Sequence, residues 1–188
     1  ANLKSLRQEA QPLMTRLLDK KKQILQHLQA LTSTKIQARK FRIHGDLHLG
    51  QTLFTGKDFM IIDFEGEPAR TLSERRIKQS ALRDVAGMIR SFHYVAWGAV
   101  LLRLSRQGVD LAGLEPWVNL WYNVVSGVFL HAYRQMVEAS DILPAGEAEF
   151  ELLLDAFLLE KSIYEVGYEL NNRPHWVEIP IRGVLSLL

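Results

Sequence analysis

The chain has 188 residues, 47% of them hydrophobic and 23% charged, which is typical of a folded globular protein. Its formal net charge of +2 gives no strong field for nucleic acid or an anionic membrane, so we expect neither partner. The absence of cysteine excludes disulfides, thiolate metal sites and cysteine nucleophiles. We recognise no signal peptide and no apolar stretch long enough to span a membrane, and we expect a cytoplasmic location.

The first predicted element is an amphipathic helix from residue 2 to about residue 31, because apolar residues recur there mostly at steps of three and four. The chain begins almost inside this pattern, so we expect it to be part of a longer polypeptide. Short β-rich runs follow at residues 41–43, 52–55 and 59–64. Gly56, Lys57 and Asp58 separate the last two runs and predict a hairpin.

Helical patterns dominate after Pro68. They cover residues 74 to about 106, 116–139 and 146 to about 171, and a short helix is expected after Pro180. The connectors at residues 105–115 and 141–146 are too short to be interdomain linkers. We therefore predict one domain over residues 1–188, of the α+β class and mostly α, with a small β-hairpin sheet and several packed helices.

A cluster of polar residues lies around the predicted hairpin. His44, Asp46 and Gln51 fall within the segment FRIHGDLHLGQ, just after a predicted strand. Asp63 ends the apolar strand that follows, and Glu65, two residues later, points the same way if the strand persists. Carboxylates and an amide are thus expected to converge from adjacent strands.

Phosphoryl transfer requires this set of groups. A carboxylate orients and deprotonates the attacking hydroxyl, and oxygen ligands hold the magnesium that neutralises the phosphates. In protein kinases an H-R-D loop, with asparagine five residues after its aspartate, precedes a strand that ends in D-F-G. Asp46, Gln51 and Asp63 occur in the same order and with the same spacing of five between aspartate and amide.

The form HGDLH resembles the aminoglycoside phosphotransferase and choline kinase branch of the kinase-like fold. Two further runs, ALRDVAGMIRSFHY and LLEKSIYEVGYELNNRPHWVEIPIRGV, resemble motifs of bacterial maltokinases, including those fused behind trehalose synthase. The resemblance covers roughly residues 40–188. It implies the C-terminal lobe of a kinase-like fold and the ATP- and Mg²⁺-dependent conversion of maltose to maltose 1-phosphate.

The resemblance also implies roles for individual residues. Asp46 would be the catalytic base and His44 would brace its loop. Gln51 and Asp63 would be magnesium ligands, and Glu65 a ligand of a second metal or a sugar contact. Candidate sugar contacts are Arg70, Arg83, Asp84, Tyr164, Tyr168 and Trp176.

Several of these residues also have purely structural interpretations. Arg83 and Asp84 suit an interhelical ion pair. Tyr164 and Tyr168, at helical spacing, suit core packing. Trp176 suits either a lid on the helices or a wall of the cleft.

The phosphate-gripping part of a kinase is not recognisable in this sequence. No two glycines stand in G-x-G spacing, and no strand-borne lysine precedes Asp46. We therefore expect a separate N-terminal lobe as a partner. The resemblance to maltokinases implies a fused or associated trehalose synthase as a second partner. The chain alone is expected to be inactive.

Three alternative functions remain open from the sequence. One is a different small-molecule kinase of the same branch, and another is a noncatalytic sugar-binding or docking module. The third is a metallophosphoesterase, because GDLHLG is similar to the GDxHG element of those enzymes. The D-x-H and GNH-type elements that would complete a two-metal site are not found in this sequence.

Overall fold

The computed structural model describes residues 6–8, 10–101 and 111–188, except the side chains at 32, 111 and 112. Within these ranges the regular elements are, in chain order, α1 (Ala10–Asp19), α2 (Lys21–Ser33), β1 (Thr52–Phe54), β2 (Phe59–Ile61), α3 (Leu72–Arg75), α4 (Leu82–Ala99), α5 (Leu111–Val137), α6 (Glu147–Asn172) and α7 (Glu178–Ser186). The predicted class, α+β and mostly α with a small hairpin sheet, is confirmed.

The predicted first helix is two helices rather than one. The chain breaks at Lys20, between α1 and α2, within a run of five polar residues that interrupts the apolar stripe. The two halves bury their apolar residues against different partners: Met14 of α1 packs on α7, whereas Leu31 of α2 lies against the α4–α6 core. Residues 2–5 and 9, where the predicted helix begins, lie outside the described residues.

The hairpin is shorter than predicted. β1 and β2 pair antiparallel, with Thr52 opposite Ile61 and Phe54 opposite Phe59. The ladder ends after the Ile62 amide donates to the Gln51 carbonyl at 2.9 Å, because Asp63 takes a left-handed φ of 63° that a strand cannot continue through.

The strand predicted at residues 41–43 reduces to an isolated bridge. Phe41 exchanges two 2.8 Å backbone hydrogen bonds with Gln79, outside the hairpin. The same bridge explains why the helix predicted from residue 74 is interrupted, since Gln79 lies in extended backbone between α3 and α4. The predicted end of that helix, near residue 106, lies outside the described residues.

The last three helices follow the predictions closely. α5 begins five residues before the predicted start and continues through Pro116, α6 matches its predicted range within a residue at each end, and α7 begins two residues before Pro180. None of the helices in the described part of the chain is long and apolar enough to cross a membrane.

Helix α4 lies at the centre of the core. Its first half, including Leu82 and Val85, packs with Leu154 of α6, and Trp97 in its second half packs with Val118 of α5 and Ile179 of α7. The first turn of α4 faces the loop that follows Phe41, and this loop carries the candidate site.

Candidate active site

His44 anchors the candidate catalytic loop from within. It is 7% exposed, and its Nε2 lies 2.7 Å from the carbonyl oxygen of Ile62. Its Nδ1 accepts a hydrogen bond from the Asp46 amide at 3.3 Å, so Nε2 carries the proton and donates to Ile62. The imidazole therefore ties the loop that bears Asp46 to the strand exit that bears Asp63, and a part for His44 in catalysis stays a prediction.

Asp84, in the first turn of α4, binds the backbone of the same loop. Its two carboxylate oxygens accept from the amides of His44 at 2.7 Å and Gly45 at 2.9 Å. Burial raises the pKa of Asp84 above its ordinary value, and the two amide hydrogen bonds act in the opposite direction. Asp84 was predicted as a sugar contact, but both oxygens are engaged by the loop backbone. The structure therefore supports a positioning role.

The loop and α4 approach each other closely because Gly87 has no side chain. A β-carbon on Gly87 would lie only 2.5 Å from the carbonyl oxygen of Leu47. Gly45, in the same loop, has a φ of +85°, a conformation that favours glycine.

Asp46 lies in a cleft beside a lysine and a second carboxylate. Lys161 of α6 places its Nζ 3.3 Å from Asp46 Oδ1 and 3.4 Å from Glu67 Oε2. The Lys161 ammonium also lies 5.3 Å from the ring centroid of Tyr164. Burial, followed by the nearby Glu67 carboxylate and a hydrogen bond to it, raises the pKa of Tyr164 to about 12. Tyr164 is therefore protonated at neutral pH.

Arginines and a glutamate complete the cleft wall. Arg83 makes a bidentate pair with Glu160, at 3.0 and 2.6 Å, and Arg70 lies 3.6 Å from the same glutamate. Gly45, Asp46, Glu67 and Lys161 line the cleft together with these residues and Tyr164, and its empty volume is about 510 Å³ including its open mouth. Of the six predicted sugar contacts, Arg70, Arg83, Asp84 and Tyr164 line this cleft.

The two predicted magnesium ligands lie together at the hairpin. Gln51 Nε2 donates to Asp63 Oδ2 at 2.8 Å, which brings the amide and the carboxylate to one point. Exposed carboxylate and amide oxygens suit Mg²⁺, which binds through one or two carboxylates and completes its coordination with water and phosphate oxygens. The pair therefore fits a magnesium ion bound partly by phosphates.

Glu65 is exposed, and its predicted metal or sugar contact stays a prediction. Among the described residues, no three histidine or acidic side chains form a potential metal cluster.

Tyr168 and Trp176 are not among the described residues that line the Asp46 cleft. The Arg173 guanidinium lies between them, 5.6 Å from the Tyr168 ring centroid and 4.9 Å from that of Trp176. Trp176 also stacks on Tyr94 of α4 with ring centroids 6.3 Å apart. These contacts favour the lid interpretation of Trp176, and sugar contacts by the two aromatic residues stay predictions.

The two C-terminal motifs meet as interlocked ion pairs. Arg90 of α4 is buried, and its guanidinium lies 2.7 Å from Glu165 of α6. One turn further on, the Tyr94 hydroxyl donates to Glu169 at 3.1 Å, and Arg173 makes two hydrogen bonds to the same carboxylate. Arg90, Glu165 and Glu169 therefore join helices, whereas Arg83, Asp84, Glu160 and Lys161 of the same motifs line the cleft.

Sequence reasoning missed Glu67 and Lys161 as site residues. Glu67 follows Glu65 in a turn without a regular side-chain period, and Lys161 lies 115 positions from Asp46. The only available signal was the position of Lys161 three residues before Tyr164, which places both on one face of a helix.

The chain is similar in sequence to known sugar kinases. The chain is 30% identical over 146 residues to a glucosamine kinase of Streptacidiphilus jiangxiensis, and 28% identical over 145 residues to a glucosamine kinase of Mycolicibacterium smegmatis. These matches cover 78% and 77% of this chain but only 31% and 34% of those proteins, so the chain spans about one third of the length of the curated relatives. No family model matches the sequence.

Solved structures extend the similarity to the fold. A glucosamine kinase in complex with glucosamine, ADP and inorganic phosphate superposes with a TM-score of 0.80 at 26% identity, covering 99% of this chain and 41% of that one. A second crystal form of glucosamine kinase gives a TM-score of 0.79. In sequence and in fold, this chain is similar to one part of glucosamine kinases, which are sugar kinases.

Proposed function

We propose that the protein containing this chain is an ATP-dependent sugar kinase, and that this chain is its kinase-like C-terminal lobe. The observation that carries the proposal is the Asp46 loop, which His44 and Asp84 position between the Gln51–Asp63 pair and the cleft around Lys161. The similarity to glucosamine kinases supports the same reaction class.

In the proposed reaction Asp46 orients a sugar hydroxyl and accepts its proton. The hydroxyl oxygen forms a bond to the γ-phosphorus of ATP as the bond to the leaving oxygen breaks, so the products are a sugar phosphate and ADP. Gln51 and Asp63 would hold Mg²⁺, which when bound neutralises charge on the phosphates. Lys161 fixes the Asp46 carboxylate through its 3.3 Å contact and can donate to the acceptor.

Charge pairing in the cleft favours a neutral acceptor, and we propose maltose. Lys161, Arg70 and Arg83 each lie within 4 Å of a carboxylate, and the two oxygens of Asp84 accept from amides. Among the described residues that line the cleft, no carboxylate is thus left without a cation or a donor, so an ammonium group would have to displace Lys161. The maltokinase-like motifs support the same acceptor. Glucosamine is the competing acceptor, because the relatives are glucosamine kinases.

The remaining parts of the proposal concern the rest of the protein. An N-terminal lobe would hold ATP over this chain, and a fused or associated trehalose synthase would supply maltose. A cytoplasmic location, where ATP is available, belongs to the same proposal.

Isothermal titration of maltose and glucosamine into this chain tests the acceptor assignment. We expect selective binding of maltose, weakened by Lys161→Met because the variant loses a cleft donor. Lys57→Met, in the exposed hairpin turn, should bind like the wild type. Selective binding of glucosamine would show that glucosamine, and not maltose, is the acceptor of the sugar kinase. If neither sugar binds, the proposal that this chain contains the acceptor site is wrong.

A further inference from the structure

Helix α5 carries an exposed apolar stripe on the surface. Trp117, Leu120, Trp121, Val124 and Val128 are each between 44% and 68% exposed. At 3.6 residues per turn they share one face of the helix, and we call them the α5 stripe. From Pro116 to Tyr133 the sequence contains no aspartate, glutamate, lysine or arginine, which is unusual for a helix face in water.

The charged residues that bound this stretch are already paired within the chain. Glu115 lies 3.2 Å from Arg182 of α7, and Arg134 makes a bidentate pair with Glu147 at the start of α6. An apolar surface can therefore cover the stripe without leaving these charges unpaired. A charged peptide or a nucleic acid would find no counter-charge on it.

The side chains of the stripe are arranged by size along the helix. The bulky residues Trp117, Leu120 and Trp121 come first, and the small residues Val124, Gly127 and Val128 follow. Gly127 faces open space, with no described atom within 4 Å of the position that a β-carbon would take. The bulky end of one helix would therefore fit the small end of a second copy that runs antiparallel to it.

We propose that the α5 stripe is a homodimer interface in which two copies of α5 pack antiparallel about a two-fold axis. An axis between Tyr122 and Asn123 places Trp117 opposite Val128, and Trp121 opposite Val124, of the second copy. A two-fold interface requires this self-complementarity. If Trp117 of one copy contacts Val128 of the second, then Val128 of the first copy also contacts Trp117 of the second.

The exposed area is compatible with such a pair. The two tryptophans alone expose on the order of 200 Å² per copy. With the aliphatic side chains and their surroundings, two paired stripes approach the total of about 1,000 Å² expected of a specific interface. The expected dimer is therefore one that dissociates on dilution.

Sedimentation equilibrium of this chain over a range of concentrations tests the proposal. We expect a monomer–dimer equilibrium, and Val124→Lys should weaken it by at least about tenfold, because two lysines would be buried near the axis. Met136→Lys is the matched control, since Met136 is 86% exposed on the same helix but outside the stripe. A monomer at every concentration, or a dimer that Val124→Lys leaves intact, would overturn the proposal.

The absence of native cysteine permits a test of the antiparallel register by disulfide cross-linking. Along the helix axis, two copies of position 124 are offset by about 4.5 Å, whereas two copies of position 117 are offset by about 16 Å. Val124→Cys should therefore cross-link with itself, and Trp117→Cys should cross-link only when mixed with Val128→Cys. Lys57→Cys serves as a surface control. Efficient cross-linking of Trp117→Cys with itself would contradict the antiparallel arrangement.

Discussion

At the residue scale, the position of Asp46 depends on two neighbours that need not touch the substrate. His44 and Asp84 together satisfy four backbone groups of the loop and its surroundings: two loop amides donate to Asp84, the Asp46 amide donates to His44, and the Ile62 carbonyl accepts from His44. Because a catalytic base must lie within hydrogen-bond reach of its proton, small shifts of this loop are costly for the reaction.

Replacement of Asp84 should separate stability from activity. The Asp84→Asn variant keeps one acceptor oxygen but turns an NH₂ group toward the second loop amide, so we expect phosphoryl transfer to fall by about tenfold or more. The relative loss of unfolding free energy should be smaller than the relative loss of activity, because the variant also removes the cost of burying a charge. Steady-state kinetics and thermal unfolding of the same preparations measure the two effects.

The raised pKa of Asp84 gives this variant a pH signature. A carboxyl group with a raised pKa binds its proton more tightly in the folded state, so its contribution to stability is greatest below the unfolded pKa, near 3.8, and is lost as the pH rises through the folded value. The difference in unfolding free energy between wild type and Asp84→Asn should therefore change over this acidic window and level off above it. A difference that is independent of pH from about 3 to about 7 would contradict the assignment.

Three of the candidate site residues were predictable because they lie in or beside a recognisable local pattern. The five-residue spacing from Asp46 to Gln51, and the apolar strand before Asp63, are local features. Lys161 enters the site through the packing of α6 against α4, and Glu67 enters it from the turn after the hairpin, where it contacts Lys161. No local period encodes either contact. The roles of Asp84 and Trp176 depend on the same tertiary contacts.

At the element scale, the packing of α4 against the loop rests on one glycine. Gly87→Ala should lower stability and activity, because the added β-carbon would meet the Leu47 carbonyl at 2.5 Å and push the loop away. Alanine in place of glycine also favours the helix by about 1 kcal/mol, so stability falls only if the clash with Leu47 costs more than this gain.

Gly167→Ala is the matched control for that variant. Gly167 lies in α6 with no described atom within 4 Å of a β-carbon position, so it should show the propensity gain alone. Chemical denaturation of both variants measures the difference. A stabilised and fully active Gly87→Ala protein would refute the close-approach argument.

Of the two ion pairs that join α4 and α6, the buried pair Arg90–Glu165 should stabilise their packing more than the more exposed pair Arg83–Glu160. Arg90→Met leaves Glu165 largely buried without its partner, and we expect a loss of about 3–5 kcal/mol in unfolding free energy. The double variant Arg90→Met with Glu165→Leu should recover much of that loss, since this pair then leaves no buried charge.

The exposed pair Arg134–Glu147 provides the comparison. Its side chains are about half exposed, so Arg134→Met should cost no more than about 1 kcal/mol. Urea denaturation of the single and double variants measures these differences. Equal losses for Arg90→Met and Arg134→Met would contradict the structural role assigned to the buried pair.

The contacts of Arg90, Glu165 and Glu169 assign these motif residues to the packing of α4 against α6. The predictions of one long first helix and of a strand at residues 41–43 were wrong. Apolar periodicity reports which residues can be buried, but the partner that buries them decides where an element ends.

At the scale of the whole molecule, the proposed function assigns the Asp46 cleft to this chain and assigns the grip on ATP to an N-terminal lobe. The exposed phenylalanines of the hairpin, Phe54 and Phe59, lie on the segment that connects Gln51 to Asp63. The chain spans only about one third of the length of its curated relatives. The proposed activity is therefore to be measured on the protein that contains this chain.

The most direct test of the sugar-kinase proposal is the rate of ADP formation by that protein, with ATP and Mg²⁺ and with maltose, glucosamine or no acceptor. We expect maltose-dependent turnover that falls by about 100-fold or more in Asp46→Asn, because the base is lost. Asp155→Asn, at an exposed position on α6, should retain full activity and unfold at the same temperature as the wild type. Sugar-dependent turnover that survives Asp46→Asn undiminished would contradict the role of Asp46, and ADP formation that no sugar stimulates would contradict a sugar kinase.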